Sequence, residues 1–328
     1  MRTARVDGGM SVRVVARRAL RYDAALAAEI GASWVRAGSA LARFGKRLMM
    51  VQDDALWLAW WDDQGRLRAE PLPTDSSGQR LFDDKRKKPD FEAAVVVGER
   101  LLVFGSGSLA SRERIAVLSA SGAARVVDAS LLYARLRAEQ RLSGRQLNIE
   151  GALLDGTRLV LYSRGNAAAL APEDGFDASV EIDAAALERY LEAPTRVQPP
   201  ELGLVTQYRL GQIDSVRLTL TDAALRGGKR YYVAAAEASP DAVADGAVLG
   251  VSFGVLDDDA RYALIESEDG SRLVDKVEGL SPGASAHEWL AITDPDDAMR
   301  PAELLTLRVL APWLARAEDA GGDSTMTR

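Results

Sequence analysis

Glu92, Glu150 and Asp222 each stand six residues ahead of the glycine of a Gly-x-Arg turn, in the copies Gly98-Glu99-Arg100, Gly156-Thr157-Arg158 and Gly228-Lys229-Arg230. Glu278 takes the same place in a degenerate copy, and Ser39 takes it ahead of Gly45-Lys46-Arg47. Asp90 and Asn148 lie two residues before Glu92 and Glu150. Carboxylates gathered together repel one another, and burial raises their pKa, unless a cation or a base neutralises them. Carboxylate and amide oxygens suit Ca²⁺ or Mg²⁺, and calcium tolerates the less regular geometry. The candidate metal ligands are therefore Glu92, Glu150, Asp222, Glu278, Asp90 and Asn148, with Ca²⁺ the expected ion and no organic cofactor expected. Cysteine is absent and histidine occurs once, which removes thiol nucleophiles, disulfides, zinc sites built on cysteine and multi-histidine metal centres. The single His287 is expected on the face opposite the acids, so a Ser-His-Asp triad is not expected.

A second set of polar residues follows the second strand of each copy. These tips are Gln52-Asp53-Asp54, Gly105-Ser106-Gly107-Ser108, Ser163-Arg164-Gly165-Asn166, Ala235-Ala236-Glu237 and Thr293-Asp294-Pro295-Asp296. The basic run Lys85-Arg86-Lys87-Lys88 leads into Asp90 and could steer an anion toward Arg164, whose guanidinium suits carboxylate or phosphate. Lys88, Arg164, Asn166, Ser106, Ser108 and Glu237 are the expected substrate contacts. Metal-assisted hydrolysis of an ester or phosphoester would then use Glu150, Glu92 and Arg164 as its catalytic groups. The plainer alternative is a non-catalytic module that binds a ligand or a protein, its acids pairing with Arg47, Arg100, Arg158 and Arg230 to lock neighbouring repeats.

These residues converge only if the repeats close on themselves. Each copy pairs a turn with a short apolar strand, and the second continues through residues 114–118, a Ser121-Gly122 turn and residues 124–127. Repeated units of four short strands make an all-β fold, a single β-propeller whose inner strands line a channel. Five blades are expected; a sixth stays open if residues 25–34 form sheet. Two short helical insertions are expected, at 130–136 behind a serine cap and at 184–191 behind Asp183. The last copy lacks a fourth strand, which residues 12–20 would supply from the N-terminal end. Residues 1–316 read as one domain and 317–328 as a disordered tail.

With 41 Lys+Arg against 48 Asp+Glu in 328 residues, the net charge is −7, which argues against nucleic acid or an anionic membrane as partner. A small anionic ligand is the expected partner, and nothing identifies a protein partner. Charged residues interrupt every apolar run near the start, so a cytoplasmic location is expected.

The segments Lys88-Pro89-Asp90-Phe91-Glu92-Ala93, Leu147-Asn148-Ile149-Glu150-Gly151-Ala152, Ser163-Arg164-Gly165-Asn166 and Asp245-Gly246-Ala247-Val248-Leu249-Gly250 resemble those of an uncharacterised bacterial β-propeller family. More loosely, the Asn-Ile-Glu-Gly motif is similar to the esterase-like phytase propellers. The resemblance spans residues 36–310 and implies a propeller with calcium-dependent ester or phosphoester hydrolysis. Ser39 and Thr221 depart from the pattern where an acid or amide would be expected.

Overall fold

The structure, a computed structural model, describes residues 1–144, 146–165, 175–238 and 246–314. Two-residue hairpins set its local geometry. Phe44 pairs with Arg47, Val97 with Arg100, Asp155 with Arg158 and Arg226 with Lys229, so each turn begins with Gly45, Gly98, Gly156 or Gly227. These glycines sit at φ of 60°, 56°, 60° and 56°, a left-handed backbone that a side chain would strain.

The chain is all-β, and its sheets are antiparallel meanders. Gly38–Phe44, Arg47–Gln52, Trp57–Trp61 and Leu67–Pro71 form one, and Phe91–Val97, Arg100–Gly105, Arg114–Ser119 and Ala124–Asp128 the next. Ile149–Asp155, Arg158–Ser163, Asp177–Asp183 and Leu202–Arg209 follow, then Thr219–Arg226, Lys229–Glu237, Val248–Val255 and Arg261–Glu266. In the last, Val277–Pro282, Glu288–Thr293 and Glu303–Leu310 are joined by the N-terminal strand Ser11–Ala19, antiparallel to Glu303–Leu310. The first strand of each sheet packs beside the first strand of the next, and Val277–Pro282 returns against Gly38–Phe44. This closed ring of inner strands is the arrangement of a β-propeller.

The ends of the ring are tied by the N-terminal segment. Arg2–Thr3 runs parallel to Leu202–Arg209, Arg5–Val6 runs parallel to Arg261–Glu266, and Ser11–Ala19 bridges Arg261–Glu266 to Glu303–Leu310. Apolar layers fill the space between neighbouring sheets: Val95, Phe104, Ile149 and Leu161 belong to one, and Val233, Phe253, Trp289 and Leu305 to another. The Trp289 ring lies 4.6 Å from Tyr231 and 5.2 Å from Phe253, so aromatic packing adds to the burial there.

Helices are few and short. Ala184–Glu192 is capped by Asp183, which accepts from Ala186 N at 2.8 Å. The expected serine cap of the other insertion is corrected: Ser130 is the first residue of the helix Ser130–Ala138, and its N–H donates to Asp128 at 2.9 Å. Residues 25–34 make no further sheet; most of them lie in the helix Ala24–Ile30, capped by Asp23. Among the described residues no helix is long and apolar enough to cross a membrane. The expected tail at 317–328 lies outside the described residues.

Candidate functional site

Every inner strand carries a β-bulge at the same place. The register slips between Gly38 and Ala40, Phe91 and Ala93, Ile149 and Gly151, Leu220 and Asp222, and Val277 and Gly279. The residues left out of pairing are Ser39, Glu92, Glu150, Thr221 and Glu278. A bulge frees one residue from the ladder and turns its side chain off the pleat. Ser39 Oγ donates to Phe91 O at 2.6 Å and Thr221 Oγ1 to Val277 O at 2.7 Å, so each hydroxyl staples its strand to the inner strand of a neighbouring sheet.

The three glutamates gather electrostatically at the mouth of the ring. Burial, then Asp90, Asp53 and Glu150, push the Glu92 carboxyl well above its usual range. Burial and Glu278 do the same to Glu150, against Arg164 and Lys276. Glu278 is raised by burial and pulled back by Lys276 and Arg164.

Asp222 is a correction to the sequence alignment. The fourth hairpin turns on Gly227-Gly228, so its turn starts one residue earlier than the Gly-x-Arg spacing suggests, and Thr221 takes the bulge position. A shift of one residue changes the face of a strand residue. Asp222 is buried between sheets, where its Oδ1 accepts from Ala223 N and its Oδ2 from Leu280 N, both at 2.7 Å.

The bases at the mouth also differ from those expected. Arg47 stacks over the Trp60 ring at 3.6 Å, Arg100 pairs with Glu192, and Arg230 pairs with Asp155 and Glu181. Arg164 does reach the acids: it donates to Glu237 Oε2 at 2.9 Å and Thr219 Oγ1 at 3.0 Å, and lies 3.8 Å from both Glu150 and Glu278. Lys276 lies 3.4 Å from Glu278, 3.6 Å from Asp294 and 3.1 Å from Asp296. Lys88 bonds Asp53 and approaches Asp90 at 3.1 Å, while Arg112 contacts the other Asp90 oxygen at 2.8 Å. Burial opposes the charge of Lys88, but Asp53, Asp90 and Glu92 outweigh it and hold the ammonium well above the ordinary lysine range.

The remaining candidates fall into the same network. Ser106 Oγ donates to Asp90, and Ser108 Oγ receives Arg112 at 2.7 Å. Asn148 Nδ2 donates to Glu150 Oε1 at 2.5 Å, and Gly246 N donates to Glu237 Oε1 at 3.1 Å. Asn166 lies outside the described residues. His287 stands apart, its Nδ1 3.0 Å from Val309 O.

Asp53, Arg112 and Lys276 were missed as site residues. The −2 position could have flagged Lys276: Ala37, Asp90, Asn148 and Lys276 each precede a bulge residue by two. Their carbonyls accept from Asp53 N (3.3 Å), Ser106 N (2.9 Å), Arg164 N (2.8 Å) and Asp294 N (2.9 Å). This repeated bond joins the entering loop to the tip in these four sheets and brings the two rings of side chains together.

One oxygen each from Asp53, Asp90 and Glu92 lies within 4.8 Å of the others, a spacing a single cation can span. Around the mouth the carboxylates of Asp53, Asp90, Glu92, Glu150, Glu237, Glu278 and Asp294 outnumber the cations Lys88, Arg112, Arg164 and Lys276. Hard oxygen donors that outnumber the neighbouring bases fit calcium or magnesium.

No curated protein matches the chain. Solved structures similar to it include glutaminyl cyclase of Myxococcus xanthus, at 9% identity and a TM-score of 0.48, covering 92% of this chain and 98% of that one. A gluconolactonase of Xanthomonas campestris is similar at 12% identity and a TM-score of 0.44, covering 92% of this chain and 99% of that one. Residues 34–309 match a family of unknown function (DUF6929), a match that does not point to phytases in particular, and by that match the chain belongs to this family.

Proposed function

We propose that this chain is a five-bladed β-propeller that binds a divalent cation, calcium by preference, at Asp53, Asp90 and Glu92 and hydrolyses an ester or phosphoester there. The observation that carries the reading is the excess of buried carboxylate over cation at the mouth, with three acid oxygens within 4.8 Å of one another. Compared with the ligand set expected from sequence, Asp53 enters, Asp90 and Glu92 stay, and Glu150, Asp222, Glu278 and Asn148 leave. A bound divalent cation would polarise the carbonyl or phosphoryl oxygen of a substrate. Glu150, held by Asn148 and pushed toward its protonated form by burial and Glu278, is suited to donate a proton to the departing oxygen.

The saturation of Arg164 by Glu237, Glu150 and Glu278 favours a second reading, a non-catalytic ligand-binding propeller whose ring of charge is structural. Elemental analysis, calcium titration calorimetry and a panel of carboxylic and phosphoric esters separate the two. Wild type should take up one Ca²⁺ and turn over at least one ester, Glu92→Gln should lose the ion, and Glu150→Gln should keep the ion and lose turnover. A folded wild-type protein that takes up neither Ca²⁺ nor Mg²⁺ at millimolar concentration defeats the cation reading. Uptake without turnover by any ester favours the second.

A further inference from the structure

Lys88 sits among the same three acids. Its ammonium bonds Asp53 and lies 3.1 Å from Asp90 Oδ1, so it occupies two of the three carboxylates that could ligate an ion. The third, Glu92, also feels the Lys88 charge, which opposes the upward push of burial, Asp90 and Asp53 on its carboxyl. Lys88 belongs to no sheet. Residues 84–88 form a turn, with Lys87 N and Lys88 N donating to Asp84 O at 2.9 and 3.2 Å and Arg86 N to Asp84 Oδ1 at 2.9 Å. Arg112 ties this segment to the site, donating to Lys85 O at 2.5 Å while it contacts Asp90. Lys276, by contrast, lies immediately before the strand Val277–Pro282.

We propose that Lys88 is a tethered internal cation that competes with a divalent ion for Asp53, Asp90 and Glu92, so that ion binding expels its ammonium and loosens residues 84–88. The proposal rests on the cation reading above. Two positive charges cannot share oxygens about 3 Å away in a largely buried site without strong repulsion, so occupancy by one excludes the other. With the ammonium in place the acids are partly neutralised and the protein tolerates the empty site; when the ion arrives, the basic run Lys85-Arg86-Lys87-Lys88 is freed at the rim.

Calcium titration calorimetry on wild type and Lys88→Met tests this, with tryptic cleavage after Lys85, Arg86 and Lys87 as a second readout. Lys88→Met should bind Ca²⁺ at least ten-fold more tightly than wild type, and Ca²⁺ should accelerate cleavage of wild type only, the variant being open already. Equal or weaker binding by a folded Lys88→Met, when wild type binds, overturns the competition and leaves the cation reading standing. Binding by neither folded protein overturns both. If Lys88→Met does not fold, the wild-type digest decides: unchanged cleavage at saturating Ca²⁺ overturns the proposal, and acceleration supports it.

Discussion

Replacing Asp222 by alanine separates a residue that locks two sheets from one that faces the channel. In wild type its carboxylate accepts two buried backbone N–H groups, those of Ala223 and Leu280, each at 2.7 Å. Alanine leaves both donors without an acceptor, and an orphaned buried donor costs about 1–3 kcal/mol. Part of that is returned, because burial has already pushed the carboxyl well above its usual pKa and its removal relieves that strain. The net loss should be about 2–4 kcal/mol. At about 2.1 cal/mol/K of unfolding entropy per residue, this corresponds to a fall in Tm of about 3–6 °C for a chain of this length. Differential scanning calorimetry measures the fall, and calcium titration of the same samples should give wild-type affinity. A variant with unchanged Tm and no calcium binding would refute the reasoning, since Asp222 would then have to face the channel and Thr221 the sheet interface.

Asp177 accepts Gly165 N and Leu220 N while burial lifts its pKa from 3.8 to about 6. The native state therefore favours the protonated form: this contribution, roughly 3 kcal/mol, is full below the unfolded pKa and is lost as pH rises through about 6. Urea unfolding of wild type and Asp177→Asn from pH 4 to pH 7 should show the stability difference between them changing over that window; a constant difference rejects the shift. At Gly279 a Cβ would lie 2.7 Å from Ile292 Cγ2 and 2.9 Å from Ala40 Cα, so Gly279→Ala forces the inner strands of the first and last sheets apart. Thermal unfolding should show a loss of about 1–3 kcal/mol, and an unchanged Tm would mean that the ring closes more loosely than described.

Much of the fold was legible because hairpin chemistry is local. A glycine at positive φ followed by a short apolar strand marks Gly45, Gly98 and Gly156 directly, and the strands at 114–118 and 124–127 follow from alternation and a Gly turn. The site was legible only where the spacing was unambiguous. Glu92, Glu150 and Glu278 are bulge residues, but two adjacent glycines at 227 and 228 offered two ways to count, and the wrong one named Asp222 instead of Thr221. Bulges are not visible as a sequence pattern, since they depend on which residue the neighbouring strand leaves unpaired. The identity of the bases was hidden for a different reason. Arg47, Arg100 and Arg230 lie at the turn end of their hairpins, away from the mouth, whereas Lys276 shares the −2 position with Asp90 and Asn148, and Arg112 reaches the acids through loop geometry that no spacing encodes.

The tie made by the first nineteen residues has a consequence for biosynthesis. They leave the ribosome well before the strands they pair with, Leu202–Arg209, Arg261–Glu266 and Glu303–Leu310. Closure is thus the most non-local step of folding and must come last, while an unpaired strand waits with an edge open to aggregation. A circular permutant that places this strand directly after residue 310 would convert that closure into an ordinary hairpin.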